Sequence, residues 1–215
     1  PYSMQDSEMI TCAELTVQNI ADYYSRRYQD ISILMPNEII NIAQKYGYER
    51  VTPSSGLTYQ SISKILLESK FFPRLYQERM SAVNIKEILH SYVDSSIPVA
   101  IGLRENGQTK KGHSVICIGY SNDPKKQYSI SMLLRDGVDD PQRRILYIAH
   151  VGSSFSDYII MDDQRRPYKI ANIFTKEEWT GPTTRYKRLS YLEYTQEEEG
   201  EGESKQNQIA CIIVP

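Results

Sequence analysis

The spacing of apolar residues divides the chain into a helical first half and a strand-rich second half. From Thr11 to about Tyr28, apolar and aromatic residues recur at helical spacing, which predicts a buried helix. Thr11 and Glu14 match the capping box that satisfies free backbone donors at a helix start, so Cys12 is expected in the first turn. Similar patterns predict three further helices, at about residues 36–46, 59–66 and 84–93.

From Pro98 onward the pattern changes to short apolar runs separated by turn residues, which is typical of strands. Asn106 and Gly107 lie between the first two runs and predict a hairpin that pairs them. The four runs lie at residues 99–103, 114–120, 145–148 and 158–161. The composition further predicts a polar insertion at 123–144 and a flexible acidic tract at 197–208, and the apolar run at 209–214 predicts a last strand.

The order of these elements indicates a fold class. Helices followed by antiparallel strands are typical of an α+β protein rather than of alternating strand and helix units. A chain of 215 residues can bury a core without a metal or a disulfide. We expect one domain over 1–215, in which a helical lobe (1–97) packs its central helix on an antiparallel sheet lobe (98–215).

Composition and charge exclude several classes of function. The net charge of -2 gives no basic surface for nucleic acid, so a peptide or protein partner is expected instead. No stretch reaches the roughly 18 apolar residues of a membrane span, and a cytoplasmic location is expected for the chain or for a longer protein from which it is excised. Three scattered cysteines predict reduced thiols without a disulfide framework, and neither a metal nor a cofactor is expected.

A cysteine in the first turn of a helix is a candidate nucleophile. Backbone amides and the helix dipole favour negative charge there, which stabilises a thiolate at Cys12. The candidate base is His113, which follows a glycine and opens an apolar strand. A carboxylate that orients the imidazole is expected at Asp162, at the end of another strand, with the adjacent Asp163 as the alternative.

Three segments around these residues resemble the papain-like cysteine peptidases, in particular the bacterial branch that processes bacteriocin leaders after a double glycine. The matching segments are Thr11–Leu15, His113–Tyr120 and Tyr158–Gln164. In that branch a glutamine precedes the cysteine, the histidine opens an apolar strand followed by a Gly-Tyr pair, and an aspartate ends a later strand. The resemblance implies a papain-like fold, a peptide substrate and a role for Gln5 as a donor to the oxyanion.

The neighbourhood of the cysteine differs from the family pattern and leaves a second hypothesis open. Thr11 and Ala13 stand where the family commonly has aspartate and glycine. The first hypothesis is a thiol hydrolase that cleaves or transfers an amide-linked acyl group. The second is a peptidase-like binding domain of a larger protein that has lost turnover.

The remaining candidate residues have weaker signals. A serine nucleophile at Ser153 or Ser154 could use His150, but no strained elbow motif accompanies it. Three others lie where packing explains them: Cys117 and Cys211 in apolar strands, and His90 on a helix.

Overall fold

The computed structural model describes residues 12–49, 56–77, 84–105, 112–121, 129–134, 145–150, 157–163, 168–178, 187–196 and 203–215. Four helices lie in the first part of the chain, and their bounds are α1 Cys12–Ser25, α2 Pro36–Lys45, α3 Tyr59–Glu68 and α4 Ile85–Asp94. All four predicted helices are therefore confirmed. Among the described helices, none is long and apolar enough to cross a membrane.

Local polar contacts explain where three of the helices begin. The carboxylate of Glu38 accepts a hydrogen bond from the backbone N-H of Met35 before α2, at 2.8 Å. Thr58 accepts from the N-H of Ser61 at 3.1 Å before α3, and Asn84 caps α4 through the N-H of Lys86 at 3.2 Å. Each side chain satisfies a backbone group at a helix start that has no partner within its helix.

Nine strands are described, with the bounds β1 Arg74–Gln77, β2 Val99–Glu105, β3 Gly112–Tyr120, β4 Ser129–Leu134, β5 Ile145–His150, β6 Asp157–Met161, β7 Tyr168–Glu178, β8 Lys187–Gln196 and β9 Glu203–Val214. The larger sheet has the order β1-β9-β2-β3-β6-β7-β8, and β8 also pairs with β9. Six strands therefore close into an antiparallel barrel, and β1 adds to β9 outside the ring. β4 lies in the expected polar insertion and pairs with β5 in a separate two-stranded ladder, so the prediction that the run at 145–148 belongs to the main sheet is wrong.

The predicted papain-like fold is wrong. The strands do not form one sheet behind a helical lobe, because the pairing of Glu193 with Gln206, and of its neighbours along β8 and β9, closes the ring. The expected hairpin pairing of β2 with β3 is confirmed, with Val99 opposite Cys117, while the turn at Asn106 and Gly107 lies outside the described residues.

The prediction of a flexible acidic tract over 197–208 is also wrong in its second half. Residues 203–208 belong to β9, where they pair with β8, and part of this stretch also pairs with β2. The tract is rich in polar residues, but backbone pairing on both sides supplies order that its composition does not indicate.

Alternation along the barrel strands separates two apolar cores. Ile101 and Val115 face a core inside the barrel, which includes Leu89 from α4. Their neighbours Ala100 and Ile116 face a second core, where α1, α2 and α3 cover the outer surface of the barrel. Successive residues of a strand point to opposite faces, so one strand serves both cores.

A buried polar contact fixes the first helix against the barrel. The hydroxyl of Thr16 on α1 donates to the hydroxyl of Ser114 on β3 at 3.0 Å, and both side chains are buried. The contact therefore fixes the start of α1 against the outer face of β3, the face opposite to the one that His113 shares with Val115 and Cys117.

Candidate functional site

The candidate nucleophile lies where the sequence predicted it. Cys12 is the first residue of α1 and is partly exposed, whereas Cys117 and Cys211 are fully buried. Burial raises the pKa of both buried thiols to about 12, which keeps them protonated at neutral pH. Of the three thiols, Cys12 alone has the exposure that a nucleophile needs.

The candidate base and its carboxylate form a direct contact. His113 Nε2 lies 3.0 Å from Asp162 Oδ1, with the histidine side chain 18% exposed and the aspartate 2% exposed. Asp163 Oδ1 is farther from the same nitrogen, at 4.0 Å. Asp162 is therefore the nearer of the two carboxylates that the sequence left open.

The alternation of the strands explains why these residues meet. Cys117 on β3 pairs with Ile160 on β6, and both face the barrel core. His113 lies four residues before Cys117, and Asp162 lies two residues after Ile160. Because alternate residues of a strand point to the same face, both side chains lie on that face, at the end where β3 begins and β6 ends.

A lysine that the sequence analysis missed completes the group. Lys169 Nζ lies 3.6 Å from Asp162 Oδ2, and its side chain is 12% exposed. Lys169 pairs with Ile160 across the β6 and β7 ladder, which makes it a diagonal neighbour of Asp162. The contact of Lys169 with Asp162 depends on the pairing of β7 with β6, which the sequence analysis did not predict.

The electrostatic surroundings hold a proton on His113. Burial alone would lower the pKa of this imidazole, but the hydrogen bond to Asp162 and then the interaction with Cys12 outweigh it and raise the pKa to about 10. The carboxylate of Asp162 is thus the main group that keeps the imidazole protonated against the effect of burial.

In the part of the chain that the structure describes, no hydrogen bond of standard geometry joins Cys12 to His113. His113 Nδ1 is buried and makes no hydrogen bond of standard geometry. The tight cluster, in which the polar atoms lie within 4.8 Å of one another, consists of His113, Asp162 and Asp163 and includes no sulfur. The proton transfer between Cys12 and His113 that the sequence predicted is therefore not set up in this arrangement.

The second carboxylate of the cluster differs in charge from the first. Burial raises the pKa of Asp163 to about 6; the positive His113 opposes this rise, and the negative Asp162 adds to it. At slightly acid pH Asp163 is therefore largely protonated, which limits the negative charge that is buried at this site.

The same three residues have donor atoms that suit a metal ion. His113, Asp162 and Asp163 supply one nitrogen and carboxylate oxygens within 4.8 Å. Two contacts oppose that use: Nε2 already faces Asp162, and the ammonium group of Lys169 lies beside the other oxygen of that aspartate. The geometry therefore favours a hydrogen-bonded charge network over a cation site.

The other candidates from the sequence do not join this group. His90 packs its ring against Tyr120, with 4.6 Å between the centroids, which fits a packing role. Gln5, Thr11, Ser153 and Ser154 lie outside the described residues, and His150 ends β5 with a side chain that is not described.

Comparison of the chain with protein-family models, with curated proteins and with solved structures finds no match in any of the three. The class of protein therefore has to be argued from the site itself.

Proposed function

We propose that this chain is a thiol hydrolase that attacks amide-linked acyl groups, with Cys12 as nucleophile, His113 as acid and base, and Asp162 as the group that orients the imidazole. The observation that carries the proposal is the 3.0 Å contact of His113 Nε2 with Asp162 Oδ1, which is shorter than any other contact of this imidazole with a carboxylate among the described residues. A nucleophile, a base and an orienting carboxylate in this order are the parts of a catalytic triad.

The proposed reaction has two steps. The sulfur of Cys12 attacks the carbonyl carbon, a C-S bond forms, the C-N bond breaks, and His113 gives its proton to the leaving amine. Water then attacks the thioester while His113 takes a proton from it, the C-S bond breaks, and the acid leaves as Cys12 returns to a thiolate. An amine in place of water would make the protein an acyltransferase with the same residues.

The roles of the two charged neighbours follow from their contacts. Asp162 accepts the Nε2-H, which leaves Nδ1 as the nitrogen that would exchange a proton with Cys12. Lys169 lies at the other oxygen of Asp162 and holds that carboxylate in place. We expect the backbone N-H of Cys12, with Gln5 as a further donor, to stabilise the oxyanion.

One observation favours the alternative, a binding domain that has lost turnover. His113 Nδ1 has no well-aligned partner, so the proton transfer that turnover needs is not set up in this arrangement. Resting sites are often loose in this respect and tighten with substrate, which is why the two hypotheses require an experiment.

The experiment measures the rate at which iodoacetamide alkylates each cysteine between pH 5 and 10, with peptide mass spectrometry to separate the three sites. We expect Cys12 to react well below pH 8, because only the thiolate is nucleophilic. Cys117 and Cys211 serve as internal controls, since burial makes them inert.

Two variants complete the test. His113→Ala should remove the reactivity of Cys12 at low pH, and turnover of a p-nitrophenyl ester should disappear in Cys12→Ala. If Cys12 in the unmodified protein follows the ordinary thiol value near 8.5 and His113→Ala changes nothing, the hydrolase proposal is wrong. Low-pH reactivity without turnover of esters or peptides would support the binding domain instead.

A further inference from the structure

A cleft of about 380 Å³ lies between α1, the turn before β2, and strands β3, β6 and β7. This volume falls in the range of sites that bind small molecules or peptide side chains. Two of its lining residues directly precede the charged group in sequence: Met161 comes before Asp162 and Tyr168 before Lys169. Because successive residues of a strand point to opposite faces, the cleft lies on the outer face of these strands, on the side of α1 and its first residue Cys12, and not on the face that bears Asp162 and Lys169.

The direction of the cleft follows from α1 and β3. Thr16 contacts Ser114, and further along both elements Ile20 and Ile116 line the cleft, so helix and strand run the same way. A helix rises 1.5 Å per residue, which places Ile20 about 12 Å along α1 from Cys12. An extended peptide covers that distance in three to four residues, at about 3.3 Å each.

The chemistry of the cleft changes along its length. Its inner part is apolar, with Ile20, Ile116 and Met161 among the lining residues. At the outer end the guanidinium of Arg27 lies 4.1 Å above the ring of Tyr23, whose hydroxyl donates to the carbonyl of Ser96 at 2.7 Å. Among the lining residues that the structure describes, Arg27 is the one with a formal charge.

We propose that this cleft binds an extended substrate peptide that carries a bulky apolar residue three to four positions from the bond attacked by Cys12 and an acidic residue about five positions from it. The acidic position follows from Tyr23, which holds Arg27 about 16 Å along α1 from Cys12. The positions rest on the proposed function, since they are counted from its nucleophile. The preference for an apolar residue followed by an acidic one rests on the cleft alone.

The chain offers a matched control for each part of the cleft. Arg27→Glu reverses the charge at the outer end, and Arg26→Glu does the same one residue earlier, where the side chain pairs with Asp22 outside the cleft. Ile118→Asp places a charge on a lining residue that is 39% exposed, and Ile170→Asp does so on a 69% exposed residue of β7 that does not line the cleft.

Binding is measured by fluorescence anisotropy in a Cys12→Ser background, so that no turnover intervenes. The probes are fluorescein-labelled octapeptides of glycine and serine that carry Leu followed by Glu, Leu followed by Lys, or Gly followed by Glu. We expect the Leu-Glu peptide to bind at least tenfold more tightly than the other two. Arg27→Glu and Ile118→Asp should each weaken it about tenfold or more, whereas Arg26→Glu and Ile170→Asp should change it less than twofold.

A charge swap gives the sharpest readout, because Arg27→Glu should prefer the Leu-Lys peptide to the Leu-Glu peptide. Equal binding of all three peptides, or equal effects of cleft and control variants, would overturn the proposal. Self-association that the cleft variants abolish would show that the occupant is a second copy of the chain, and would also overturn it. If Cys12 is inert but the peptide preferences hold, the hydrolase proposal is wrong and the cleft proposal stands. If the protein hydrolyses substrates but the cleft variants bind peptides as the unmodified protein does, the cleft proposal is wrong and the hydrolase proposal stands.

Discussion

Replacement of Asp163 by asparagine should stabilise the protein at neutral pH. Asp163 is buried, and its pKa is raised from the ordinary 3.8 to about 6, mainly because burial disfavours the charged form. The folded state therefore binds a proton at this carboxyl more tightly than the unfolded chain does. Asparagine keeps the shape and removes the charge that folding has to bury.

The sign and the size follow from linkage. Between pH 3.8 and about 6 the folded protein holds a proton on Asp163 that the unfolded chain has released, so stability falls as pH rises through this window. One pKa unit corresponds to about 1.4 kcal/mol, which gives an upper limit of about 3 kcal/mol for the cost at pH 7. Asp163→Asn should gain up to that amount at pH 7 and almost nothing below pH 4.

The assay is urea unfolding at half-unit steps from pH 4 to 8, followed by circular dichroism, for the unmodified protein, Asp163→Asn and the surface control Asp30→Asn. The difference in unfolding free energy between Asp163→Asn and the unmodified protein should increase between pH 4 and 6 and stay constant above pH 7. A difference that is flat across the whole range, or a loss of stability at pH 7, would refute the reasoning, because it would mean that Asp163 contributes contacts and not a buried charge.

Three further predictions concern the site and its support. Asp162→Asn should lower the turnover of a p-nitrophenyl ester by several orders of magnitude, because the amide favours the wrong imidazole tautomer, while the cysteine alkylation profile and the melting temperature show whether the fold persists. Thr16→Val and Ser114→Ala should each cost about 1–3 kcal/mol of unfolding free energy, and a double-mutant cycle should show coupling between them, since each leaves the other hydroxyl buried without its partner. Gly102→Ala should cost about 1–3 kcal/mol in urea unfolding, because a methyl group there would lie 2.5 Å from the ring of Tyr59; an unchanged midpoint would show that the ring moves freely.

The helices could be predicted because their signals are local. Pro36 at a helix start, the apolar spacing from Tyr59 to Leu66 and the helix start at Asn84 are read within a few turns, and the structure has a helix at each of these places. The closure of the barrel could not be predicted in the same way. It depends on pairing between β8 and β9, and nothing in the composition of residues 203–208 indicates that they have partners on both sides.

The site was predictable to the extent that its residues lie at strand ends. His113 is the second residue of β3, and Asp162 follows β6, so each could be named from the apolar run beside it. Lys169 could not be named in this way, because its contact with Asp162 depends on the pairing of β7 with β6. The choice between Asp162 and Asp163 also needed the alternation of side chains along a strand whose partners are known.

The charges of the site predict how the ionisation of Asp163, whose pKa burial raises to about 6, affects turnover. The proposed thiolate of Cys12 and the carboxylate of Asp162 are balanced by the imidazolium of His113 and the ammonium of Lys169, so an ionised Asp163 adds a negative charge that no remaining cation of the group offsets. That extra negative charge would hold the proton on His113 more firmly. His113 would then be a weaker acid and would protonate the leaving amine less readily. Turnover should therefore decline as Asp163 ionises near pH 6 in the unmodified protein, and it should stay level across that range in Asp163→Asn, whereas loss of turnover in this variant at every pH would make Asp163 the residue that orients His113.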